Sequence, residues 1–109
     1  MSTLNLPDHC QVVLPLEAIQ EFCQRWKIVR LELFGSAARG VLTPDSDLDF
    51  LYTFADDARW GWKFVDACEE LEELVGRPVD LVSRSSIERS TNPFRKQAIL
   101  SSAELVYER

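Results

Sequence analysis

Two short polar patterns in one stretch of the chain combine residue types that can bind a phosphate and a metal ion. Gly35 and Ser36 follow an apolar run, and Asp47 and Asp49 lie at the start of a second apolar run. A glycine backbone can take positive φ and lie against a ligand, while a serine can cap a following helix, so backbone N–H groups and a hydroxyl would face one point. The sequence therefore predicts a phosphate-binding turn at Gly35 and Ser36.

The carboxylates of Asp47 and Asp49 are one residue apart in a predicted strand. Side chains alternate between the two faces of a strand, so both carboxylates would project from the same face. Two carboxylates about 4 Å apart repel by roughly 4 kcal/mol at an effective dielectric near 20, so a partly shielded pair favours a divalent cation. Magnesium suits such hard oxygen ligands and shares substrate phosphates. A phosphate-binding turn opposite a metal site describes a nucleoside triphosphate pocket.

Each pattern taken alone also has an ordinary structural explanation. A Gly-Ser pair is commonly a turn, and an Asp-x-Asp pair is commonly the solvated face of a half-exposed strand. Here the two patterns occur together, with strands predicted on both sides and a third aspartate, Asp80, in the next predicted strand. This combination favours a functional site over the two separate explanations.

The elements that position these residues are predicted from the periodicity of apolar residues and from helix start and stop signals. Asn92 and Pro93 are a good cap and first-turn pair, and Gly76 and Pro78 should end the preceding helix. A polar link is expected from 84 to 91, and a short helix just after Ser36. The other predicted elements are helices at 15–27, from Asp56 or Asp57 to Val75 and at 93–101, and strands at 28–34, 47–54, 78–83 and 103–107.

The signature as a whole resembles that of the polymerase-beta-type nucleotidyltransferases. It consists of Gly-Ser, ten intervening residues that include Ala-Arg-Gly, then Ser46 and Asp-x-Asp. With 109 residues, the chain is similar to the minimal nucleotidyltransferases, or MNT proteins, which are commonly encoded beside a helical HEPN protein and act as its antitoxin. The resemblance implies an α+β nucleotidyltransferase fold, with a small mixed β-sheet and helices packed mainly on one face.

The resemblance also implies two-metal nucleotidyl transfer from ATP. Asp47, Asp49 and Asp80 would hold two Mg²⁺ ions, and Asp80 would act as a ligand, as the general base, or as both. Gly35 and Ser36 would bind the β- and γ-phosphates with a backbone N–H and a hydroxyl.

Two further residue groups leave alternatives open. Arg39 can pair with a phosphate of the nucleotide or form a structural ion pair with Asp45, Asp47 or Asp49. Trp60 and Trp62 are two positions apart near a helix start, so they cannot both face the core, and one is a candidate for an exposed contact.

The function implied by the resemblance is transfer of AMP to a hydroxyl, on tyrosine, of a cognate HEPN ribonuclease toxin, which is thereby silenced. One alternative is a non-catalytic antitoxin that inhibits its partner by complex formation. Another is a small-molecule nucleotidyltransferase that works with a separate helical subunit. The three aspartates together with Gly35 and Ser36 favour catalysis over binding alone.

Composition narrows the remaining possibilities. We expect residues 1–109 to form one domain with one core, because 46% hydrophobic and 28% charged residues are typical of a globular protein. No apolar run approaches the roughly 20 residues that span a bilayer, so we expect a cytoplasmic protein without a membrane partner. The net charge of −6 disfavours nucleic acid as the main partner. Three widely spaced cysteines fit neither a disulfide framework nor a zinc site, and we expect Cys23 and Cys68 to be buried thiols.

Overall fold

The computed structural model describes residues 14–35, 38–40, 46–55 and 63–109. Predictions that concern Ser36, Asp45, Asp56, Asp57, Trp60 and Trp62 lie outside these residues. The described elements are, in chain order, α1 (Leu16–Arg25), β1 (Ile28–Phe34), β2 (Leu48–Phe54), α2 (Phe64–Val75), β3 (Val79–Ser83), α3 (Arg84–Glu88), α4 (Pro93–Ser102) and β4 (Glu104–Glu108).

The four strands form one mixed sheet in the order β3-β2-β1-β4. Strand β1 pairs antiparallel with both β2 and β4, whereas β2 and β3 are parallel and are joined through α2. The predicted α+β class and mixed sheet are confirmed, and the last strand, β4, lies at one edge of the sheet.

The main core lies between one face of the sheet and the helices α1 and α2. Its buried side chains include Phe22 of α1, Leu31 of β1, Phe50 of β2 and Leu71 of α2. These positions follow the alternation of the strands and the apolar stripes of the two helices. Helices α1 and α2 therefore fit the prediction that helices pack mainly on one face of the sheet.

A second, smaller cluster on the opposite face was not predicted. Phe34, Leu51 and Ile87 are buried there, and Ile99 and Leu100 of α4 pack against them. The α3 and α4 helices therefore cover part of the face toward which the even-numbered residues of β1 project.

The predicted polar link at 84–91 is wrong in its first half, where α3 forms a helix of five residues. Only Ile87 of this helix is buried, so five residues could not show a helical period. The other differences are at element ends. Helix α1 ends at Arg25 rather than Lys27, because Lys27 has a φ of 58° and cannot continue the helix.

Three local predictions are confirmed. Gly76 ends α2 in the left-handed conformation, with φ 73° and its N–H donated to the Glu72 carbonyl oxygen. The Asn92 side chain caps α4 by accepting hydrogen bonds from the N–H groups of Phe94 and Arg95. Cys23 is a buried free thiol, as predicted, and burial raises its pKa to about 12, whereas Cys68 is only half-buried, so the prediction of a buried thiol holds for Cys23 alone. No helix among the described residues has the length and hydropathy needed to cross a membrane.

Candidate active site

Asp49 and Asp80 are brought side by side by the parallel pairing of β2 and β3. They are direct partners in the strand register. Their neighbours Leu48, Phe50 and Leu81 belong to the main core, so the two aspartates project from the other face of the sheet. A residue from a later strand thus joins the Asp-x-Asp pattern, as the sequence predicted.

Asp47 lies just before the first residue of β2 and has an exposed side chain. The segment around it is held on both sides by the turn between α2 and β3. Arg77 Nη1 donates to the Ser46 carbonyl oxygen at 3.1 Å, and the Leu48 N–H donates to the Pro78 carbonyl oxygen at 2.9 Å. Sequence reasoning missed Arg77, because its partner is 31 positions away and nothing in the local pattern indicates the contact.

Gly35 lies directly against the Asp49 side chain. The preceding residue, Phe34, is the register partner of Asp49 in the antiparallel pair of β1 and β2. Gly35 has a φ of 77°, and a Cβ at this position would overlap a carboxylate oxygen of Asp49 and lie 3.2 Å from its Cγ. Only glycine combines this backbone conformation with this close approach. The glycine turn and the aspartate pair therefore belong to one site.

The Asp49 carboxyl group is the electrostatic centre of the site. Its pKa is raised to about 6, first by burial and then by the negative charges of Asp80 and Asp47, while Arg39 acts in the opposite direction. Burial and like charges both disfavour the ionised form of a carboxyl group. A proton or a cation bound at this position would relieve the repulsion.

Arg39 is exposed, and its N–H donates to the Gly35 carbonyl oxygen at 3.1 Å. Residues 38–40 form a turn, and the predicted short helix after Ser36 is not among the described helices; Ser36 itself lies outside the described residues. The Arg39 charge is close enough to lower the pKa of Asp49, so the side chain belongs to the same electrostatic environment.

The donor set suits a hard divalent cation, because Asp49 and Asp80 offer adjacent carboxylates and the pKa of Asp49 reflects their mutual repulsion. Within the described residues, however, no group of three or more His, Cys, Asp or Glu side chains is placed to hold a metal ion. The structure therefore assembles the Asp49–Asp80 pair, while Asp47 stands exposed beside it at the start of the strand.

A buried ion pair lies on the same face of the sheet, next to the second cluster. Glu32 of β1 is 3% exposed, and Arg84 Nη1 of α3 lies 2.6 and 2.7 Å from its two carboxylate oxygens. Glu32 is two residues before Phe34, the register partner of Asp49. The ion pair therefore fastens α3, which directly follows the Asp80 strand, to the strand that leads to Gly35.

Comparison with known proteins identifies the family. A model of the nucleotidyltransferase domain matches residues 16–106, which include every described element except the last residues of β4. The chain belongs to the nucleotidyltransferase domain family. The predicted family and enzyme class are thereby confirmed.

Named relatives of this nucleotidyltransferase are identical to it at about a third of the aligned positions. The protein adenylyltransferase MntA of Thermococcus cleftensis is 38% identical over 68 residues, which cover 62% of this chain and 68% of the relative. A candidate protein adenylyltransferase of Methanocaldococcus jannaschii is 33% identical over 84 residues, which cover 76% of this chain and 79% of the relative.

Solved structures share the fold of this nucleotidyltransferase. A candidate minimal nucleotidyltransferase is 34% identical, with a TM-score of 0.62 over 81% of this chain and 85% of the other. A toxin-antitoxin structure with AMP-PNP is 22% identical, with a TM-score of 0.60 over 88% of this chain and 75% of the other. A tri-AMPylated Shewanella oneidensis HEPN toxin in complex with MNT antitoxin gives a TM-score of 0.55 at 19% identity, over 86% of this chain and 70% of the other.

Proposed function

We propose that this nucleotidyltransferase is an antitoxin that transfers AMP from ATP to a tyrosine hydroxyl of a cognate helical HEPN toxin and thereby neutralises it. The observation that carries the proposal is the contact of Gly35 with Asp49, which is itself paired with Asp80. Protein adenylyltransferases among the sequence relatives supply the class of acceptor. The structural relative with an AMPylated HEPN toxin supplies the kind of partner.

In the proposed reaction, an oxygen of the acceptor hydroxyl forms a bond to the α-phosphorus of ATP. The bond between the α-phosphorus and the bridging oxygen breaks, and pyrophosphate leaves with the electron pair. Asp47, Asp49 and Asp80 would hold two Mg²⁺ ions, which when bound lower the pKa of an attacking hydroxyl and offset negative charge on the entering and leaving oxygens. Asp80 is also a candidate to accept the hydroxyl proton.

The phosphate contacts proposed for the nucleotide come from the turn after β1. The Gly35 backbone and the Ser36 hydroxyl would bind the β- and γ-phosphates, and the exposed Arg39 guanidinium can pair with a phosphate oxygen. In the same proposal residues 1–109 act as one domain, and the reaction takes place in the cytoplasm.

The experiment that tests this proposal uses the helical protein encoded by the neighbouring gene as the acceptor. The chain is mixed with this protein, Mg²⁺ and ATP labelled either on the α- or on the γ-phosphate. We expect the acceptor to retain only the α label, at a tyrosine identified by mass spectrometry, and to lose ribonuclease activity. Asp47→Asn should abolish both effects.

Three outcomes would contradict the proposal. Retention of the γ label would indicate a kinase. Neutralisation that needs neither ATP nor Asp47 would indicate an antitoxin that acts by complex formation. Label that remains in a small molecule would indicate a small-molecule nucleotidyltransferase.

A further inference from the structure

Helix α4 presents an apolar side chain to solvent on the side of the sheet that carries Asp49 and Asp80. Phe94 is 83% exposed, more than any other large hydrophobic side chain among the described residues. No residue of α4 is buried, although Ile99 and Leu100 pack partly against the second cluster. An exposed aromatic on a helix that is capped by Asn92 and anchored at its other end is a rigid contact element.

A groove of about 430 Å³ runs along α4 beside Phe94. Its lining is mainly apolar, and the described residues that line it are Pro93, Lys96, Gln97, Leu100 and Ser101. These residues recur at helical spacing, so they form one face of α4. We call this face, together with the neighbouring Phe94, the α4 surface; Arg95 is two positions from Pro93 and lies on the other side of the helix. It has room for an apolar side chain from another molecule.

The charge of the α4 surface is opposite to that of the whole chain. Lys96 is its charged residue, Arg95 adds a second positive charge elsewhere on the helix, and Pro93–Ser102 contains no aspartate or glutamate, although the chain has a net charge of −6. An acidic segment of another protein would be repelled by most of the molecule and attracted here. Such charge complementarity directs where a partner binds.

The position of the α4 surface connects it to the active site. Ile99 and Leu100 pack on a cluster that contains Phe34 and Leu51. Phe34 is the register partner of Asp49, and Leu51 is two residues beyond Asp49 on the same strand. A protein that lies on α4 is therefore on the same face of the sheet as the paired carboxylates of Asp49 and Asp80.

We propose that the α4 surface is the docking site for the acceptor protein. The acceptor would contribute a segment that carries a carboxylate, which faces Lys96, and an apolar side chain that enters the groove beside Phe94. This inference rests on the proposed function, since it assumes that the acceptor is a protein. Docking at this surface would hold the acceptor hydroxyl near the site without any residue of α4 taking part in the chemistry.

The test measures binding of the neighbouring-gene protein by calorimetry in the absence of ATP. The variants are Phe94→Ser, which removes the exposed aromatic, and Lys96→Glu, which reverses the charge of the surface. The matched controls are Val65→Ser and Lys63→Glu, which make the same kinds of change at exposed positions at the start of α2, the helix on the other face of the sheet. Wild type and all four variants are also compared for ATP affinity.

We expect both α4 variants to raise the Kd for the partner at least about tenfold, as loss of an interface anchor does. The Kd of both controls should remain within about twofold of the wild-type value. Where transfer is measured, KM for the acceptor should rise by the same factor and kcat should be retained. The effect of Lys96→Glu should shrink at high salt, because a contact between charges at the protein surface is screened.

Several results would overturn the inference. They are equal affinity of Phe94→Ser and Val65→Ser for the partner, failure of the wild-type chain to bind the partner, and a homodimer of the wild-type chain that Phe94→Ser dissociates.

Failure of the proposed function gives a different result. If the wild type transfers no label but Phe94→Ser still weakens binding, docking at α4 stands and adenylylation is wrong. If Phe94→Ser transfers label with unchanged KM, adenylylation stands and docking at α4 is wrong.

Discussion

At the scale of single residues, the candidate site is defined by the contact of one glycine with one aspartate. That Gly35, Asp47, Asp49 and Asp80 are candidates for one site could be predicted from residue type and spacing, because a turn glycine and alternating strand carboxylates have few other uses in combination. The contact of Gly35 with Asp49 could not, because it depends on the register that pairs Phe34 with Asp49 across two strands.

The first prediction concerns Gly35→Ala, with Gly76→Ala as the matched control. The two glycines have nearly the same backbone conformation, with φ of 77° and 73°, but only Gly35 has the Asp49 side chain in the path of a Cβ, and Gly76 has nothing within 4 Å. Both substitutions should therefore lower the free energy of unfolding by about 1 kcal/mol through left-handed strain. Gly35→Ala should cost at least ~1 kcal/mol more, measured by urea denaturation, because the Asp49 carboxylate must move.

Activity separates the same two variants. Gly35→Ala should lose AMP transfer, whereas Gly76→Ala should retain it. Equal stability losses together with equal activities would show that the contact of Gly35 with Asp49 does not matter.

The second prediction concerns the pH dependence of stability in the presence of a chelator. Asp49 has a pKa near 6 in the folded chain, against an ordinary value of 3.8, so the folded state binds more protons than the unfolded state between these values. The free energy of unfolding therefore falls as pH rises through this window. Asp49→Asn removes the effect and should stabilise the chain by about 1 kcal/mol at pH 8, an amount already reduced for solvent screening of a half-buried group.

The gain from Asp49→Asn should become small by pH 4 and vanish below about pH 3, where the wild-type carboxyl is protonated in both the folded and the unfolded state. Denaturant unfolding at several pH values measures this, with Glu69→Gln on the exposed face of α2 as the control. A less stable Asp49→Asn at pH 8 would show that the carboxylate is not under repulsion.

At the scale of elements, local periodicity predicted the longer helices and all four strands but not α3. Helix α3 exists in this place because Arg84 reaches Glu32, which is 52 positions earlier in the chain, and because Ile87 enters the second cluster. Neither contact leaves a local pattern. Element boundaries were predicted correctly where a specific cap residue is present, as at Gly76 and Asn92. The predicted end of α1 was wrong because it depends on the positive φ of Lys27, which the apolar pattern does not indicate.

The third prediction tests the ion pair that fastens α3. Arg84→Met leaves the buried Glu32 carboxylate without its closest partner and should lower the free energy of unfolding by about 3 kcal/mol. The control is Arg25→Met, which breaks the ion pair with Glu70 between α1 and α2, where the Arg25 side chain is 59% exposed. This loss should be below about 1 kcal/mol.

A double variant completes the measurement. Glu32→Leu combined with Arg84→Met should recover much of the loss, because the cost lies in a buried charge that has lost its closest partner and keeps only Arg30, whose Nε is 3.3 Å from Glu32 Oε1, rather than in the absence of the pair. Equal losses for Arg84→Met and Arg25→Met in urea denaturation would mean that α3 is held by its apolar contact alone.

At the scale of the whole molecule, the two faces of the sheet have different tasks. One face is covered by α1 and α2 and forms the main core, while the other carries Asp49, Asp80, the buried ion pair and α4. The acidic composition predicted only that nucleic acid would be a poor partner. That the basic residues of α4 lie on the face of the active site could not be predicted, because the strand order β3-β2-β1-β4 and the side on which α4 packs depend on contacts between distant parts of the chain.

The central claim is that strand register brings a carboxylate from β3 into one active site with the carboxylates of β2. The most direct test is the rate of label transfer from α-phosphate-labelled ATP to the partner by Asp80→Asn, with Asp66→Asn on an exposed position of α2 as the control. Mutation of a residue that hydrogen-bonds to a metal ligand commonly lowers activity about 10–100-fold, so loss of a ligand itself should reduce the transfer rate by at least about 100-fold. The rate of Asp66→Asn should stay near that of the wild type. Transfer by Asp80→Asn at a rate close to that of the wild type would contradict the claim.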